Sequence, residues 1–594
     1  MNPYIIFEQQ NEVPAGRTLY TFLTPIEEAK LESLGHKVIS CRKFIPGARD
    51  RALTTYKNLL SNIGTYPGIK GKSLSQILQN GNSSSWWYLK PSEKDNETDN
   101  SFEMLVKIEI IREISNKHEN IAIHRAPDYI HKMFATDAKF EFTETRSRTN
   151  TTISLIKRVL GRLRMIKVIL QQKRFVASIP KVNLPTEGHA FMGFWKWSFI
   201  NHENSKIGDK YFKELPSMYK DSSYWLTWFD LERRVDFCRS KDKKVIFLQT
   251  YLRYIDILTA LASFKTTFLI LRHRRSIQKL CELDRVNYSA IVLPKILESS
   301  CSYIEGFHQL VEIATTRASK RLQPKVAFSF LEYFLFARAF MTGIRNGNKS
   351  TKVIATQHAS YSPYKTFSQF TREEFDHGLP APDLLFCMGE IGKNTFSVGN
   401  SPCPIEVHGS PRYSKPLNLP PRPPRESHRL QVLIATSIAT DQERHLIELC
   451  HLINKRTPTK FQFRLRCHPF HPIENIDWFQ EPKNSIEISD DTPLEDDLAW
   501  SDMVLVTYST VGEEALINDL AVGKMLSYSQ GSALDDPNLK VPAFYDLPSL
   551  EKVLIKSKKL PSRLTEHQLF HKLDNNASNR IYDRIESITQ ESRI

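Results

Sequence analysis

Eight short apolar runs, each followed by a stretch with helical spacing, constrain this chain more than any other feature. They lie at 121–124, 244–248, 326–330, 352–356, 384–388, 432–436, 463–467 and 503–507. A run of four or five apolar residues without polar alternation suits a strand covered on both faces. Parallel neighbours need a long crossover, and the intervening helical patterns supply it. The chain therefore reads as α/β with parallel sheets. Hydrophobic residues make up 41% and aromatics 11% of 594 positions, enough for sizeable cores and too much for wholesale disorder. The 22 Gly and 32 Pro fall in no period, which excludes collagen-like repeats.

One segment punctuates the pattern. Residues 416–428 hold Pro416, Pro420, Pro421, Pro423 and Pro424, a density that continues neither a helix nor a central strand. The expected organisation is a Rossmann-like N-terminal domain over 1–415, this linker, a second Rossmann-like domain over 429–563 and a helical tail over 564–594. The second domain should open with a strand at 431–437 and a helix near Asp441. The eight cysteines show no C-x-x-C pair or metal-ligand spacing, as expected of a reduced cytosolic chain. No basic leader precedes the first apolar residues. The stretches 326–341 and 254–271 carry Glu332 with Arg338 and Asp256 with Lys265, so neither reads as a membrane span. The expectation is a cytoplasmic protein, at most peripheral at the inner face of the cytoplasmic membrane.

Lys and Arg total 81 against 66 Asp and Glu, a net charge of +15 that favours anionic partners. The excess concentrates at 146–181, which has ten basic residues and no acidic one. Ile156, Val159, Leu160, Leu163, Ile166 and Leu170 fall on one helical face there, flanked by Arg and Lys. Such a helix suits an anionic membrane surface (146–174), a docked position on the protein core, or nucleic acid, in that order of preference.

Two strand-end motifs in the second domain carry candidate chemistry. Arg464-Leu465-Arg466-Cys467-His468-Pro469 closes one strand, where ligands bind in open α/β sheets. Arg466 and His468 could donate charge-assisted hydrogen bonds to a phosphate, with Pro469 fixing the loop. After the strand at 503–506, Ser509 and Thr510 open a helix whose free N–H groups form an anion site, and Glu513 or Glu514 could accept from ribose hydroxyls. Thr436 and Ser437, after the domain's first strand, face the same edge. There is no G-x-G-x-x-G, Walker A or H-E-x-x-H motif. The acidic residues around Pro493 read as helix capping, so no metal is expected. In the first domain the strand ends carry Glu332, Gln357 and His358, groups suited to acid/base or sugar-binding work.

The order of these motifs (Gln357-His358, Pro382-Asp383, Gly409-Ser410-Pro411-Arg412, the proline linker, Arg466-x-His468-Pro469, Ser509-Thr510) resembles GT-B glycosyltransferases of bacterial surface-polysaccharide assembly. Within these it is most similar to the surface carbohydrate biosynthesis group, distantly like capsule Kdo transferases, polysialyltransferases and CDP-glycerol glycerophosphotransferases. The stretch Trp86-Trp87-Tyr88-Leu89-Lys90-Pro91-Ser92-Glu93-Lys94 shares the likeness. The resemblance implies a GT-B fold, with two Rossmann-like domains facing across a cleft. It implies a cytidine-nucleotide phosphate held by His468, Pro469, Ser509 and Thr510, and a catalytic carboxylate at Glu332. The function implied is transfer of an acidic nonulosonate such as Kdo from a CMP-sugar donor to a glycan or lipid-linked acceptor. His358 would be a second catalytic candidate and Gln357 an acceptor-binding one. No cofactor beyond the donor is expected, and nucleic acid is disfavoured as a partner. The rival readings are a GT-B sugar-nucleotide epimerase and a non-catalytic protein that binds membrane or nucleic acid.

Overall fold

The computed structural model describes residues 3–591, apart from 9–17, 146–150, 180–185, 195–210, 232–243, 331–333, 360, 399–400, 414–416, 423–427, 439, 470, 474–475, 490–491 and 557–561. All eight apolar runs form strands, and every one pairs in parallel. They belong to three sheets. The first has five strands, beginning with Tyr4–Ile6, Thr18–Thr21 and Lys37–Ser40. The second has seven, from His189–Phe194 to Ile405–Val407, and the third six, from Leu430–Ala435 to Ala543–Phe544. Counted within each sheet, the order is 3-2-1-4-5, extended by a sixth strand in the third sheet and by two more in the second. This is the doubly wound Rossmann order, which reverses beside the first strand and opens a crevice at the carboxyl ends there.

Residues 1–415, expected as one Rossmann-like domain, thus hold two such sheets. The first three strands are only three or four residues long, too short for a clear periodic signal. Their cores merge: Ile5 and Ile123 of the first sheet share a cluster with Phe328 and Val353 of the second.

The third sheet is covered on both faces, as its unalternating sequence demands. Val432, Ile434, Leu465, Met503 and Leu505 pack on one side, and Leu433, Ala435, Val504 and Val506 on the other. The helix after its first strand spans Thr440–Arg456, close to the expected start. Leu417 and Leu419 of the proline-rich segment lie against this core, and Arg422 pairs with Asp502 at 2.7 Å.

The tail forms helices Ser562–Phe570 and Ala577–Glu591, and the second runs back over the seven-stranded sheet. Arg580 donates to the carbonyl of His408 at 3.0 Å, and Arg584 grips Glu406 through three hydrogen bonds. Ile581 and Ile585 are buried in the N-terminal core.

The basic segment is helical over Thr151–Ala177. It docks through the buried Arg162, Ile169, Gln172 and Val176, and Ile166 and Leu170 from the C-terminal half of the expected apolar stripe pack, partly buried, against the same core. Arg162 is 2% exposed and donates to the carbonyls of Ser300 at 2.8 Å and Ser302 at 2.7 Å. The stripe residues Ile156, Leu160 and Leu163 stay exposed.

Among the described residues the cysteines are free thiols, all but Cys467 buried. The apolar stretch Tyr254–Arg272 has the length and composition of a membrane span. It is folded as two helices, Tyr254–Ala262 and Lys265–Arg272, with a break between them.

Candidate functional site at the junction of two sheets

Strands Leu430–Ala435, Phe461–Arg466 and Met503–Val506 lie side by side, so their carboxyl ends bring Thr436, His468 and Thr507 to one edge. Thr436 staples two of these ends. Its hydroxyl oxygen accepts the His468 backbone N–H at 2.9 Å, and its hydroxyl donates to the Arg466 carbonyl at 3.4 Å. His468 is further held by an antiparallel bridge to His471, which turns the chain sharply at the exposed Pro469. His468 itself is half-buried.

The third strand end is tied in by a residue outside both strand-end motifs. Glu443, in the first turn of Thr440–Arg456, is fully buried. It accepts the Ser437 N–H at 3.0 Å and the Thr507 hydroxyl at 3.0 Å. The spacing Thr440-x-x-Glu443 is a capping-box signal and could have pointed to it. The carboxylate bonds instead to the loop three residues upstream of Thr440. Burial pushes its pKa up to about 7, against the partial relief of those two hydrogen bonds.

A folded-state value above the usual 4.5 means that the folded protein retains a proton the unfolded chain gives up. The associated stability is complete below about pH 4.5 and is lost as pH rises through 7. A shift of this size corresponds to about 3 kcal/mol. A Glu443→Gln protein keeps a hydrogen-bonding group at the position and has nothing to titrate. Its urea-unfolding free energy should fall less between pH 5 and pH 8 than that of the parent, and should exceed the parent's at pH 8. Equal pH dependence in the two proteins would show that Glu443 is not the titrating group.

Arg466 is placed differently from expectation. Its Nη1 donates to Asp497 Oδ2 at 2.7 Å and to the Thr492 carbonyl at 2.6 Å. Asp497 is completely buried and also accepts from Ser489 at 2.6 Å. Arg466 therefore clamps the strand end to helix Leu494–Trp500 through Nη1. Asp497 belongs to the acidic group read as capping; it lies in the first turn of that helix, whose cap makes no side-chain hydrogen bond, and it serves this clamp instead.

The helix expected from Ser509 or Thr510 spans Val511–Ile517. Thr510 occupies the cap position, but its side chain makes no capping hydrogen bond. Ser509 is buried at 7% exposure, and its carbonyl accepts the Gly512 N–H at 3.1 Å. Glu513 is buried at 1% exposure, which removes it from ready contact with a ribose. Glu514 is half-buried; burial raises its pKa to about 7 against the pull of Arg412 and Arg466.

Arg412 joins this edge to the seven-stranded sheet. Its guanidinium lies 4.8 Å from the Tyr413 ring centre and 5.5 Å from that of Tyr211, and Nη1 donates to the His358 carbonyl at 3.4 Å. The Tyr413 phenol sits beside Thr510, so residues 412–413 touch both halves. The His358 ring packs 4.4 Å from Tyr211 and 5.0 Å from Phe330, between centroids, and is 8% exposed. Gln357 serves the fold: its side-chain oxygen accepts the Met388 N–H at 3.0 Å and its amide donates to the Ala359 carbonyl at 2.8 Å. It is 3% exposed and is not available to an acceptor. Arg345 pairs with Asp383 at 3.2 Å. Glu332 lies outside the described residues. No cluster of three or more His, Cys, Asp or Glu suited to a metal ion occurs among the described residues.

The carboxyl ends of the seven- and six-stranded sheets therefore meet around Arg412, with polar side chains on both sides. Two Rossmann-ordered units in this relation form the GT-B fold, here preceded by a third parallel sheet.

No family profile matches the sequence, and no curated protein matches it. Solved structures align with part of the chain at low similarity. A UDP-GlcNAc 2-epimerase from Neisseria meningitidis bound to UDP-GlcNAc is 11% identical, covers 67% of this chain and 100% of its own, and has a TM-score of 0.38. A UDP-N-acetylglucosamine 2-epimerase from Rickettsia bellii is 11% identical, with 68% and 98% covered and a TM-score of 0.38. The wall teichoic acid polymerase TagF is 14% identical, with 75% and 99% covered and a TM-score of 0.33.

Proposed function

We propose that the chain is a glycosyltransferase that moves a sugar, an acidic nonulosonate such as Kdo, from a CMP-activated donor to a glycan or lipid-linked acceptor. The observation that carries this reading is the edge formed by Thr436, His468 and Thr507, stapled through Glu443 and faced across Arg412 by the strand end at His358. The donor's phosphate would lie against that edge, with the His468 imidazole supplying a charge-assisted hydrogen bond. Arg412, whose guanidinium contacts Tyr413 and the His358 carbonyl, joins Arg466 as a candidate phosphate donor.

In the reaction the acceptor hydroxyl oxygen attacks the anomeric carbon, and the bond from that carbon to the phosphate oxygen breaks. The nucleotide leaves with the electron pair, and the hydroxyl proton passes to a base, Glu332 or His358. Stabilising the departing phosphate is the step in which fixed donors contribute most. No metal is invoked in that step.

Thermal unfolding with CMP, CDP, UDP, GDP and TDP tests the assignment. A nucleotide at one hundred times its Kd stabilises the protein by about 2.7 kcal/mol. The expected order places CMP first, and a panel in which no nucleotide moves the transition would remove the proposal. Consumption of donor without any acceptor would point to an epimerase.

A further inference from the structure

Three helices carry apolar side chains that no described residue covers. On Thr151–Ala177, Ile156, Leu160 and Leu163 follow the i, i+4, i+7 spacing of one stripe and are exposed, Leu163 by 61%. On Tyr254–Ala262 the exposed residues are Tyr254, Ile255 and Leu258. On Lys265–Arg272 they are Phe264 at the cap, Phe268 (62% exposed) and Leu271, again at i, i+4, i+7.

Contacts join these helices. The Arg162 guanidinium lies 4.6 Å from the Phe264 ring centre, and the Lys173 ammonium 5.3 Å from that of Tyr254. A Cβ at Gly161 of the first helix would lie 3.9 Å from the Tyr303 ring. A soluble surface scatters single exposed apolar residues, whereas nine large ones on three packed helices mark a docking face.

Charge selects the occupant. Lys157, Arg164, Lys167, Arg253, Lys265 and Arg272 are exposed around the apolar residues. The helix Thr151–Ala177 contains no acidic residue. The one acid in 253–275, Asp256, is turned inward, 7% exposed and paired with Arg317 at 2.9 Å. A second copy of this chain would oppose like charges. An anionic lipid surface matches both features, since apolar side chains enter the acyl boundary while Lys and Arg meet the headgroups.

We infer that this three-helix face docks the protein on an anionic bilayer, lying in its interface without crossing it. The inference does not depend on the donor assignment. Flotation with phosphatidylcholine vesicles, with and without phosphatidylglycerol, tests it. The protein is expected to partition onto the anionic vesicles about tenfold more strongly than onto neutral ones. Leu163→Ser with Phe268→Ser, and separately Lys157→Glu with Arg164→Glu and Lys167→Glu, should each weaken partitioning by about tenfold or more. Both variants alter exposed side chains only, so unchanged thermal unfolding confirms that they are folded. Equal binding to neutral vesicles, no binding by the parent, or variants that bind like the parent would overturn the inference. A parent dimer that the serine variant dissociates, without vesicle binding, would assign the face to a second copy.

Discussion

His468→Ala is expected to lower sugar transfer by about 10²–10³-fold, the loss typical of one donor to a developing charge. The change should fall on turnover and leave the fold intact. The position of residue 468 is set by its backbone, through the Thr436 hydroxyl and the bridge to His471, and Ala preserves both. The comparison needs single-turnover kinetics with the donor that the nucleotide panel identifies, beside a melting curve for each protein. A variant that transfers at the parental rate would defeat the phosphate-site assignment. One that unfolds at a lower temperature would show that the ring is structural.

Lys94→Met is expected to lower stability by about 3–5 kcal/mol, a large part of what a domain ordinarily has. Lys94 is fully buried, with its ammonium 2.7 Å from Glu374 and 2.8 Å from the Gln369 carbonyl. It sits at φ +57°, at the end of the helix Lys90–Glu93. Burial lowers its pKa, and the Glu374 carboxylate opposes that shift. Removing the cation leaves Glu374, 1% exposed, as an uncompensated buried charge.

Pairing Lys94→Met with Glu374→Gln removes the charge and keeps an acceptor for the Thr371 N–H that Glu374 now binds at 2.9 Å. The double variant should recover more than half of the loss in urea unfolding. Additive losses in the double variant would show that the pair is not the source of the effect. The consequence is specific to this chain, because Lys94 closes the tryptophan-containing stretch that contributed to its likeness to surface-polysaccharide enzymes.

The site was legible in unequal parts. Strand ends with polar residues stood out because an apolar run that stops at Thr436, Cys467 or Val506 marks its own edge. The roles of those residues did not. Arg466 follows a strand and resembles a phosphate ligand, yet Asp497, distant in sequence, engages it. Gln357 ends a strand in the same manner and is used up by Met388 and Ala359. Glu443 carried no active-site signature, and its importance comes from the absence of water around it. The basic segment at 146–181 misled in a different way. Its apolar stripe is real, but only the half at Ile166 and Leu170 meets the core, and the docking is anchored by Arg162, which a hydrophobicity pattern counts as polar.

The order of apolar runs and crossovers alone determined that this chain folds into parallel sheets, because strand burial and crossover length are properties of local sequence. Tertiary structure decided that there are three sheets, which charges the fold uses internally, and which apolar residues remain at the surface. Those outcomes depend on partners far apart in the chain and on the loss of water between them, and a one-dimensional pattern carries neither.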